Sequence, residues 1–239
     1  MIKKPSTASH QRIYTVGDIH GRADLLARLL AMIEEDAMKY PKRNKKLIFL
    51  GDYIDRGLES KAVIDRLLQP FAKGLAPVFL RGNHDDYLLS YLKGDLGIMS
   101  YWSNLGGTAT LASYGVNLFG AGNKADKAHH GFVQKLPAAH KAFFRDTLLS
   151  VSFGDYYFVH AGVRPHVPLA KQKAEDKMTI RGDFLFSDYV FESIIVHGHT
   201  IKPEPEIKPN RIGLDTGAFA TGHLTCLVLD GTTKKFLIT

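Results

Sequence analysis

The segment LGDYIDRG, residues 50–57, follows directly on the apolar run KLIF, which has the composition of a buried strand. The run ends before Gly51, and the side chains of Asp52, Asp55 and Arg56 then place three charges within five residues. In open α/β sheets, ligands bind in the loops outside the carboxyl ends of the strands. Charged residues immediately after a strand therefore predict a binding or catalytic site at the edge of a sheet.

The same order of apolar strand, glycine turn and helix occurs three times, at intervals of about 30 residues. The strands are IYTV at 13–16, KLIFL at 46–50 and APVFL at 76–80, and apolar residues at helical spacing follow each turn. Parallel strands need a crossover connection of this kind. The pattern therefore predicts an α/β fold in which βαβ units form a largely parallel, buried sheet.

The rest of the chain is expected to belong to the same domain, residues 11–239, preceded by a flexible tail at residues 1–10. Residues 86–150 lose the strand rhythm and predict a helical insertion, or cap region, that covers one side. KPEPEIKPN at 202–210 predicts a surface loop, because proline cannot donate to a sheet ladder. Strands are expected again at 156–162, 193–200, 211–218, 223–231 and 234–238, the last two as a hairpin.

Composition narrows the class of protein. The chain has 239 residues and a formal net charge of +7, which indicates either anionic partners or a solubilising surface. Cys226 is the single cysteine, so we expect a reducing compartment and no disulfide-linked partner. No apolar run approaches the roughly 20 residues of a membrane span, and the N-terminus lacks the apolar region of a signal peptide. We therefore expect a cytoplasmic protein without a membrane partner.

Five strand ends carry side chains of a kind that binds metal ions. Carboxylate and imidazole ligands together suit manganese, iron or zinc, whereas calcium sites prefer oxygen alone. A carboxylate shared by two ions can hold them close together, and such pairs catalyse phosphoryl transfer. The residues, taken strand by strand, are Asp18 and His20; Asp52 and Asp55; Asn83 and His84; His160; and His197 and His199.

These residues lie in segments that resemble the signature blocks of the PPP-type metallophosphoesterases. The three blocks are GDIHG (17–21), GDYIDRG (51–57) and GNHD (82–85). Further segments resemble the bacterial branch of the family, namely GGTATLASYG (106–115), FVHAGVRP (158–165), TIRGDFL (179–185), VHGHT (196–200) and GLDTGA (213–218). The resemblance implies the calcineurin-like metallophosphoesterase fold, a central β-sandwich flanked by helices with a dimetal site at one edge.

The resemblance also implies two divalent metal ions, Mn²⁺ in vitro with iron or zinc as alternatives. Asp52 would bridge the two ions. The implied ligands are Asp18, His20 and Asp52 for the first ion, and Asp52, Asn83, His160 and His199 for the second. The implied reaction is direct attack of the metal-bridging hydroxide on phosphorus, without a phosphoenzyme.

Four other residues resemble the catalytic groups of the family. His84 would protonate the leaving oxygen, and Asp55 would orient its imidazole. Arg56 and Arg181 would clamp the phosphate, because a guanidinium presents paired donors to two phosphoryl oxygens. We expect His84→Asn to lower turnover without loss of metal.

Several neighbours of these motifs are expected to have supporting or structural roles. His197 is expected to lie beside a ligand, and Asp215 to accept a hydrogen bond from a ligand histidine. Arg81 and Arg164 are expected either to contact substrate or to pair with carboxylates, and Trp102 is expected to pack the insertion. His129 and His130 lie in a polar segment predicted to face solvent, and Asp85 stands where the family usually has glutamate.

The main function predicted is a serine/threonine protein phosphatase, with phosphotyrosine as an additional substrate and a phosphoprotein or phosphopeptide as partner. The alternative is a symmetrical bis(5'-nucleosyl)-tetraphosphatase acting on a dinucleoside polyphosphate such as diadenosine tetraphosphate. A polynucleotide phosphatase and a non-catalytic phosphate-binding module are weaker alternatives. The residues at 86–150 and 165–178 are expected to decide among them, because a dimetal centre does not read what carries the phosphate.

Overall fold

The computed structural model describes residues 4–116 and 125–239. Within them, ten strands form two five-stranded sheets. In chain order the strands are β1 (Gln11–Val16), β2 (Asn44–Phe49), β3 (Leu75–Phe79), β4 (Ser150–Phe153), β5 (Tyr156–Val159), β6 (Ile194–His197), β7 (Glu206–Ile207), β8 (Arg211–Gly213), β9 (Thr225–Asp230) and β10 (Thr233–Ile238).

Ten helices accompany these strands in the described ranges. They are α1 (Ala23–Met38), α2 (Ser60–Leu67), α3 (Asn83–Leu92), α4 (Ile98–Trp102), α5 (Thr108–Ser113), α6 (Ala125–Lys135), α7 (Ala138–Arg145), α8 (Ala174–Thr179), α9 (Gly182–Leu185) and α10 (Ala218–Thr221). A π-helical turn, Ser103–Gly107, joins α4 to α5. None of these helices has the length and apolar composition needed to cross a membrane.

Both sheets are mixed. The first has the order β10-β9-β1-β2-β3, in which β1, β2 and β3 are parallel, β9 is antiparallel to β1, and β10 is antiparallel to β9. The second has the order β4-β5-β6-β8-β7, in which only the inner strands β5, β6 and β8 are parallel. The expectation of a largely parallel sheet was therefore right for β1–β3 and for β5, β6 and β8, and wrong for the pairs that involve β4, β7, β9 and β10. One edge strand, β7, is only two residues long and lies within the proline-rich segment, where edge strands tolerate proline.

The two sheets pack face to face, so strands of the first sheet are buried on both sides. In β1, Ile13 faces the second sheet, whereas Tyr14 and Val16 face the helices. Leucines at helical spacing give α1 its apolar face against that outer side of the sheet. Helices on one face and a second sheet on the other confirm the β-sandwich flanked by helices that the resemblance implied.

The segment before β1, for which we expected a flexible tail, makes specific contacts from residue 5 onward. The amide of Ser6 donates to Asp155 Oδ2 (3.0 Å), beside the second sheet. The amide of Thr7 donates to the carbonyl of Gly231 (3.0 Å), in the hairpin of the first sheet. Residues 5–7 therefore tie the two sheets together at the end of the sandwich, a role that local sequence does not reveal.

A buried carboxylate on α1 joins the helix layer to the first sheet. Asp36 accepts hydrogen bonds from Arg12 Nη2 (2.6 Å), Tyr14 Oη (2.8 Å) and Lys235 Nζ (2.6 Å). Burial alone would raise the pKa of Asp36, but these donors outweigh it and hold the pKa below its usual value. The ionised carboxylate therefore stabilises the fold, and this contribution is lost when Asp36 is protonated.

We expect Asp36→Asn to lower the free energy of unfolding by about 2 kcal/mol at pH 7, because it weakens the charged hydrogen bonds from Arg12 and Lys235 and leaves Asp230 as the remaining carboxylate paired with the buried guanidinium. Since the folded-state pKa lies below the unfolded value near 3.9, the difference from wild type should persist above about pH 5 and shrink as the pH falls below 4. Urea unfolding across this pH range measures it.

The matched control is Glu35→Gln, which removes the carboxylate one residue earlier on α1. Glu35 pairs with Lys39 at the protein surface, so its loss should leave stability unchanged. A stability difference for Asp36→Asn that does not depend on pH would contradict the assigned role of the ionised carboxylate.

Candidate metal centre and catalytic groups

The strand-end loops approach one another so closely that only glycine fits at their contacts. Gly51 has φ +106°, and a Cβ placed there would lie 2.3 Å from the backbone nitrogen of Gly82. A Cβ on Gly198 would lie 2.0 Å from Asp18 Oδ1. These glycines bring the loops after β1, β2, β3 and β6 together at one edge of the sandwich.

The carboxylate of Asp52 lies at the centre of this edge and is almost fully buried. Its Oδ2 is 3.5 Å from His20 Nε2, 3.4 Å from His160 Nε2 and 3.9 Å from His84 Nε2. Its Oδ1 accepts a hydrogen bond from the backbone amide of His84 (3.0 Å). Three imidazoles from different loops therefore surround one carboxylate oxygen.

Backbone carbonyls fix the orientation of two of these rings. His20 Nδ1 lies 2.8 Å from the carbonyl of Ile54, and His160 Nδ1 lies 3.0 Å from the carbonyl of Leu50. A carbonyl only accepts, so each Nδ1 carries the proton and donates it. Each Nε2 is then left to present a lone pair towards Asp52, which is the arrangement of a metal-binding histidine.

Two buried atoms at this edge have no hydrogen-bond partner in the described parts of the chain. They are Asp18 Oδ1 and His199 Nε2, although Asp18 Oδ2 accepts the amide of His199 (2.9 Å). Leaving such atoms buried and unpaired is costly unless a ligand satisfies them. The donor set therefore fits divalent metal ions bound by oxygen and nitrogen.

The grouping of ligand atoms differs in two respects from the ligand set implied by the sequence, because His84 belongs to a group and Asp18 does not. Two groups have ligand atoms within 4.8 Å of one another: His20, Asp52 and His84, and Asp52, His160 and His199. Asp52 belongs to both, as a bridging ligand must. Asp18 lies in neither group, while Asn83 Oδ1 is 3.1 Å from His160 Nε2.

The charges at this edge favour the binding of cations. Burial, together with the negative charges of Asp215 and Asp52, raises the pKa of Asp18 well above its usual value. Burial lowers the pKa of His20 to about 3 and that of His199 to about 2, whereas at His160 burial is outweighed by the negative charge of Asp52, which raises the pKa to about 9. The carboxylates thus attract positive charge, which either a proton on His160 or a bound cation supplies.

The backbone at this edge is strained. Among the described residues, seven non-glycine residues have positive φ, and five of them belong to the predicted site: His20, Asp52, Asp55, Arg56 and His199. A left-handed conformation costs about 1–2 kcal/mol for a residue with a side chain. Strain concentrated in this way is typical of functional sites, where the surrounding structure imposes it.

His84 and Asp55 form the pair that the sequence predicted. His84 Nδ1 lies 2.6 Å from Asp55 Oδ2, and both side chains are buried. Burial would lower the pKa of His84, but the charges of Asp52 and Asp55 outweigh it and raise the pKa. With Nδ1–H donated to Asp55, His84 Nε2 is directed towards the metal-binding edge.

Two further residues that the sequence analysis missed hold the Asp55 carboxylate. Trp102 Nε1 donates to Asp55 Oδ2 (2.6 Å), and Thr110 Oγ1 donates to Asp55 Oδ1 (2.5 Å). Trp102 is fully buried, and its indole lies over Gly107, where a Cβ would approach to 2.6 Å. Trp102 was expected only to pack the insertion, because nothing in the local sequence indicates a partner 47 residues away.

Asp85 holds the second signature block against the third. Its carboxylate accepts the backbone amides of Asp52 (2.8 Å), Tyr53 (3.2 Å) and Gly82 (2.9 Å). Burial and the charge of Asp52 raise the pKa of Asp85 to about 7. The shorter aspartate therefore reaches the backbone directly and fixes the turn that carries Asp52.

The two predicted phosphate-binding arginines flank the metal-binding residues. Arg56 Nη2 lies 3.4 Å from His84 Nε2, and its guanidinium lies 4.6 Å from the centre of the Phe219 ring. Arg181 is exposed, and its Nη1 donates to Thr200 Oγ1 (3.1 Å), next to His199. Both guanidinium groups are therefore near the edge where Asp52 and the histidines meet.

Two other arginines near the motifs have structural partners. Arg81 donates to the side chain of Thr147 and to carbonyls at the end of α7. Arg164 forms ion pairs with Asp176 (2.6 Å) and Asp183 (2.8 Å). These contacts occupy both guanidinium groups.

Three expectations for neighbouring residues need correction or refinement. Asp215 accepts the amide of Gly217 (2.9 Å) and forms no hydrogen bond with a histidine in the residues that the structure covers. His197 lies beside Phe184, with ring centres 5.0 Å apart, rather than among the clustered imidazoles. His129 belongs to helix α6 rather than to a loop, and its ring packs on Tyr91 (4.9 Å).

Comparison with known proteins agrees with this site. The model of the calcineurin-like phosphoesterase family matches residues 11–211. The bis(5'-nucleosyl)-tetraphosphatase PrpE [asymmetrical] of Anoxybacillus flavithermus is 26% identical over 232 residues, covering 89% of this chain and 88% of that protein. The symmetrical bis(5'-nucleosyl)-tetraphosphatase of Legionella pneumophila is 36% identical over 81 residues, covering 34% of this chain and 26% of that protein.

Solved structures share the fold. A candidate diadenosine tetraphosphatase superposes with a TM-score of 0.67 at 22% identity, covering 97% of this chain and 95% of that chain. A cold-active protein tyrosine phosphatase of a psychrophilic Shewanella species gives a TM-score of 0.53 at 17% identity, covering 95% of this chain and 80% of that chain. At these identities the likeness concerns the fold alone.

The metal content of two variants distinguishes a ligand from an acid. We expect Asp18→Asn to lose about one of two bound Mn²⁺ ions, because it replaces the carboxylate that carries the unpaired Oδ1 with a neutral amide, which binds a metal ion more weakly. His84→Asn should keep both ions but lower turnover by roughly 100-fold or more, as expected for a general acid. Elemental analysis of dialysed protein gives the metal content. Loss of an ion from His84→Asn, with two retained by Asp18→Asn, would reverse the two assignments.

We expect Trp102→Phe and Thr110→Val each to lower turnover by about 10- to 100-fold, because each removes one donor to the buried carboxylate that orients His84. The loss should be larger for phenyl phosphate than for p-nitrophenyl phosphate, whose leaving group needs less protonation. Ser103→Ala, a change in the adjacent residue that touches no part of Asp55, is the control. Equal losses on both esters would indicate general damage to the fold instead.

Proposed function

The chain belongs to the calcineurin-like phosphoesterase family, in its PPP-type branch, and we propose that it hydrolyses dinucleoside tetraphosphates at the edge centred on Asp52. The observation that carries the reaction class is the carboxylate of Asp52, shared by two groups of metal-binding side chains, with His84 and Arg56 beside it. Sites of this composition activate water against phosphorus.

We assign six metal ligands to this chain, as the resemblance implies: Asp18, His20, Asp52, Asn83, His160 and His199. Two divalent ions bound there, Mn²⁺ in vitro, would act as Lewis acids on the phosphoryl group and lower the pKa of bound water.

The chain's own side chains would then do the rest of the catalytic work. Arg56 and Arg181 bind phosphoryl oxygens and orient the chain of phosphates. His84 donates the proton on Nε2 to the oxygen of the departing nucleotide, because its Nδ1–H is held by Asp55. The carboxylate of Asp55 stabilises the imidazolium before the transfer and keeps the ring in the orientation needed for it.

The choice of substrate rests on the relatives. Several proteins named bis(5'-nucleosyl)-tetraphosphatase PrpE [asymmetrical] align over nearly nine tenths of this chain, among them that of Bacillus subtilis at 26% identity. The match to the serine/threonine-protein phosphatase rdgC of Drosophila melanogaster covers 37% of this chain and 13% of that protein. Full-length similarity therefore favours the dinucleotide alternative over the protein phosphatase that the sequence analysis placed first.

The positive charge of the protein also supports a dinucleoside tetraphosphate as the substrate. A tetraphosphate bridge carries several negative charges in a row, and the formal net charge of this protein is +7. Arg56 lies beside His84, and Arg181 beside Thr200, so the two guanidinium groups can bind different phosphates of one extended bridge. A phosphomonoester on a peptide presents a single phosphate to the same pair.

The test is turnover by metal-stripped protein reconstituted with Mn²⁺. We expect a kcat/KM for diadenosine tetraphosphate at least about 10-fold above those for phosphoserine and phosphotyrosine peptides and for a 5'-phosphorylated oligonucleotide. The expected products are AMP and ATP, because the relatives that align over most of the chain are named asymmetrical tetraphosphatases. Formation of two ADP would support the proposed substrate but would show that the bond between the two central phosphates is the one cleaved.

His84→Asn, purified in parallel, is the matched control for contaminating phosphatases. Faster hydrolysis of a phosphopeptide than of the dinucleotide would overturn the proposed substrate and restore the protein phosphatase. Hydrolysis of the oligonucleotide alone, with binding that weakens steeply as salt increases, would instead indicate a polynucleotide phosphatase.

A further inference from the structure

Two tyrosines extend outward from His84. The Tyr87 ring lies one helical turn after His84 on α3, with ring centres 5.9 Å apart. Tyr101, on α4, meets Tyr87 edge to face, with ring centres 5.4 Å apart and planes at 90°. The three rings therefore form a continuous row that begins at a catalytic residue and ends at Tyr101.

The far end of this row faces solvent. Tyr101 is 54% exposed, whereas its neighbour Trp102 is fully buried against Asp55. The short helix α4 therefore directs the side chain of Trp102 into the protein and that of Tyr101 outward, beside Tyr87. The hydrogen bond to Asp55 explains the buried indole of Trp102, whereas Tyr101 contacts Tyr87 through one edge and leaves more than half of its side chain open to solvent.

The row lies on the side of the departing group. His84 Nε2 gives its proton to the oxygen that leaves, so the rest of the leaving group must extend from the position that His84 faces. Tyr87 and Tyr101 are the aromatic side chains that continue from His84 in the described residues of α3 and α4. A nucleoside that extends from His84 along α3 would contact these rings, whereas one that extends along Arg56 would contact Phe219 instead.

We infer that Tyr87 and Tyr101 form a stacking subsite for the nucleobase of the departing nucleotide, with Tyr101 providing the exposed ring. This inference rests on the proposed function, since it assumes a leaving group that carries a base. Every nucleobase has a flat π-face, so a tyrosine ring binds it with little preference among bases. The subsite therefore predicts selectivity for nucleotides over base-free phosphates, and broad tolerance among nucleotides.

Tyr101 lies on the same helix as Trp102, which holds the Asp55 carboxylate that orients His84. Trp102 fixes Asp55 from one side of α4, and Tyr101 would hold the base from the other. A base stacked on Tyr101 would draw its attached phosphate towards His84, whose orientation depends on Trp102. Binding of the base by Tyr101 and the support of proton donation by Trp102 therefore depend on two adjacent residues.

The test is steady-state hydrolysis of diadenosine tetraphosphate by the Mn²⁺-reconstituted wild type and by Tyr101→Ala, Tyr101→Leu and Tyr101→Phe. We expect Tyr101→Ala to raise KM by roughly 5- to 100-fold with a smaller change in kcat, as for loss of one stacked base. Tyr101→Phe keeps the ring and should retain a KM close to that of wild type. Tyr101→Leu, apolar but without a π-face, should resemble alanine.

Inhibition by a base-free anion completes the design. Inorganic tripolyphosphate should inhibit wild type and Tyr101→Ala with equal inhibition constants, while ATP, which adds a nucleoside to the same anion, should inhibit the variant more weakly. Hydrolysis by wild type with an unchanged KM in Tyr101→Ala would overturn the subsite and leave the proposed function intact. Absence of hydrolysis by wild type would overturn the proposed function and this subsite with it.

Discussion

The buried carboxylate of Asp52 is the constraint on which the site depends. It lies at the end of a central strand, and imidazoles from loops of both sheets surround its oxygen Oδ2 at 3.4–3.9 Å. A charge in that position must be compensated, and the hydrogen bond from the amide of His84 compensates it only in part. The glycines at 51 and 82, and the carboxylate of Asp85, let the surrounding backbone close around it. The packing of the two sheets and the chemistry of their common edge therefore depend on the same buried residues.

Much of the fold and of the site could be predicted from the sequence, because both are encoded in short segments. A strand followed by glycine and a charged residue places that residue at the sheet edge, whatever the rest of the chain does. The predicted pairing of His84 with Asp55, and the meeting of Asp52 with His20 and His160, needed no more than this rule together with the resemblance.

What could not be predicted depends on contacts between distant parts of the chain. Trp102 lies outside the segments that resemble the family, and Thr110 lies in one, GGTATLASYG, to which the sequence assigns no role. Their hydrogen bonds to Asp55 exist only because α4 and α5 fold over the second signature block. The links from Ser6 and Thr7 to the two sheets are of the same kind. Asp215 follows the pattern of a residue that supports a metal ligand, but its carboxylate caps its own turn at Gly217 instead.

The helices α4 and α5, which follow α3, therefore do more than cover the sandwich. One residue of α4 supports the acid and its neighbour faces the solvent beside it, while Gly106 accepts the amide of Arg56 through its carbonyl (3.3 Å). Such contacts let this region influence both the rate of the reaction and the choice of substrate. Members of a family that share one metal centre can thus acquire different substrates by changing a segment that carries none of the metal ligands.

The positive φ angles at five site residues have an evolutionary consequence. A protein is stable by only about 5–15 kcal/mol, and these five residues together consume a substantial part of that margin. Glycine at any of them would relax the backbone and remove the side chain that acts. Mutations that stabilise the fold and mutations that abolish the chemistry therefore coincide at these positions. Asp55 is the exception, because its carboxylate also satisfies the buried donors of Trp102 and Thr110, which glycine would leave unpaired. At the other positions, selection for the chemistry keeps side chains where the backbone alone would favour glycine.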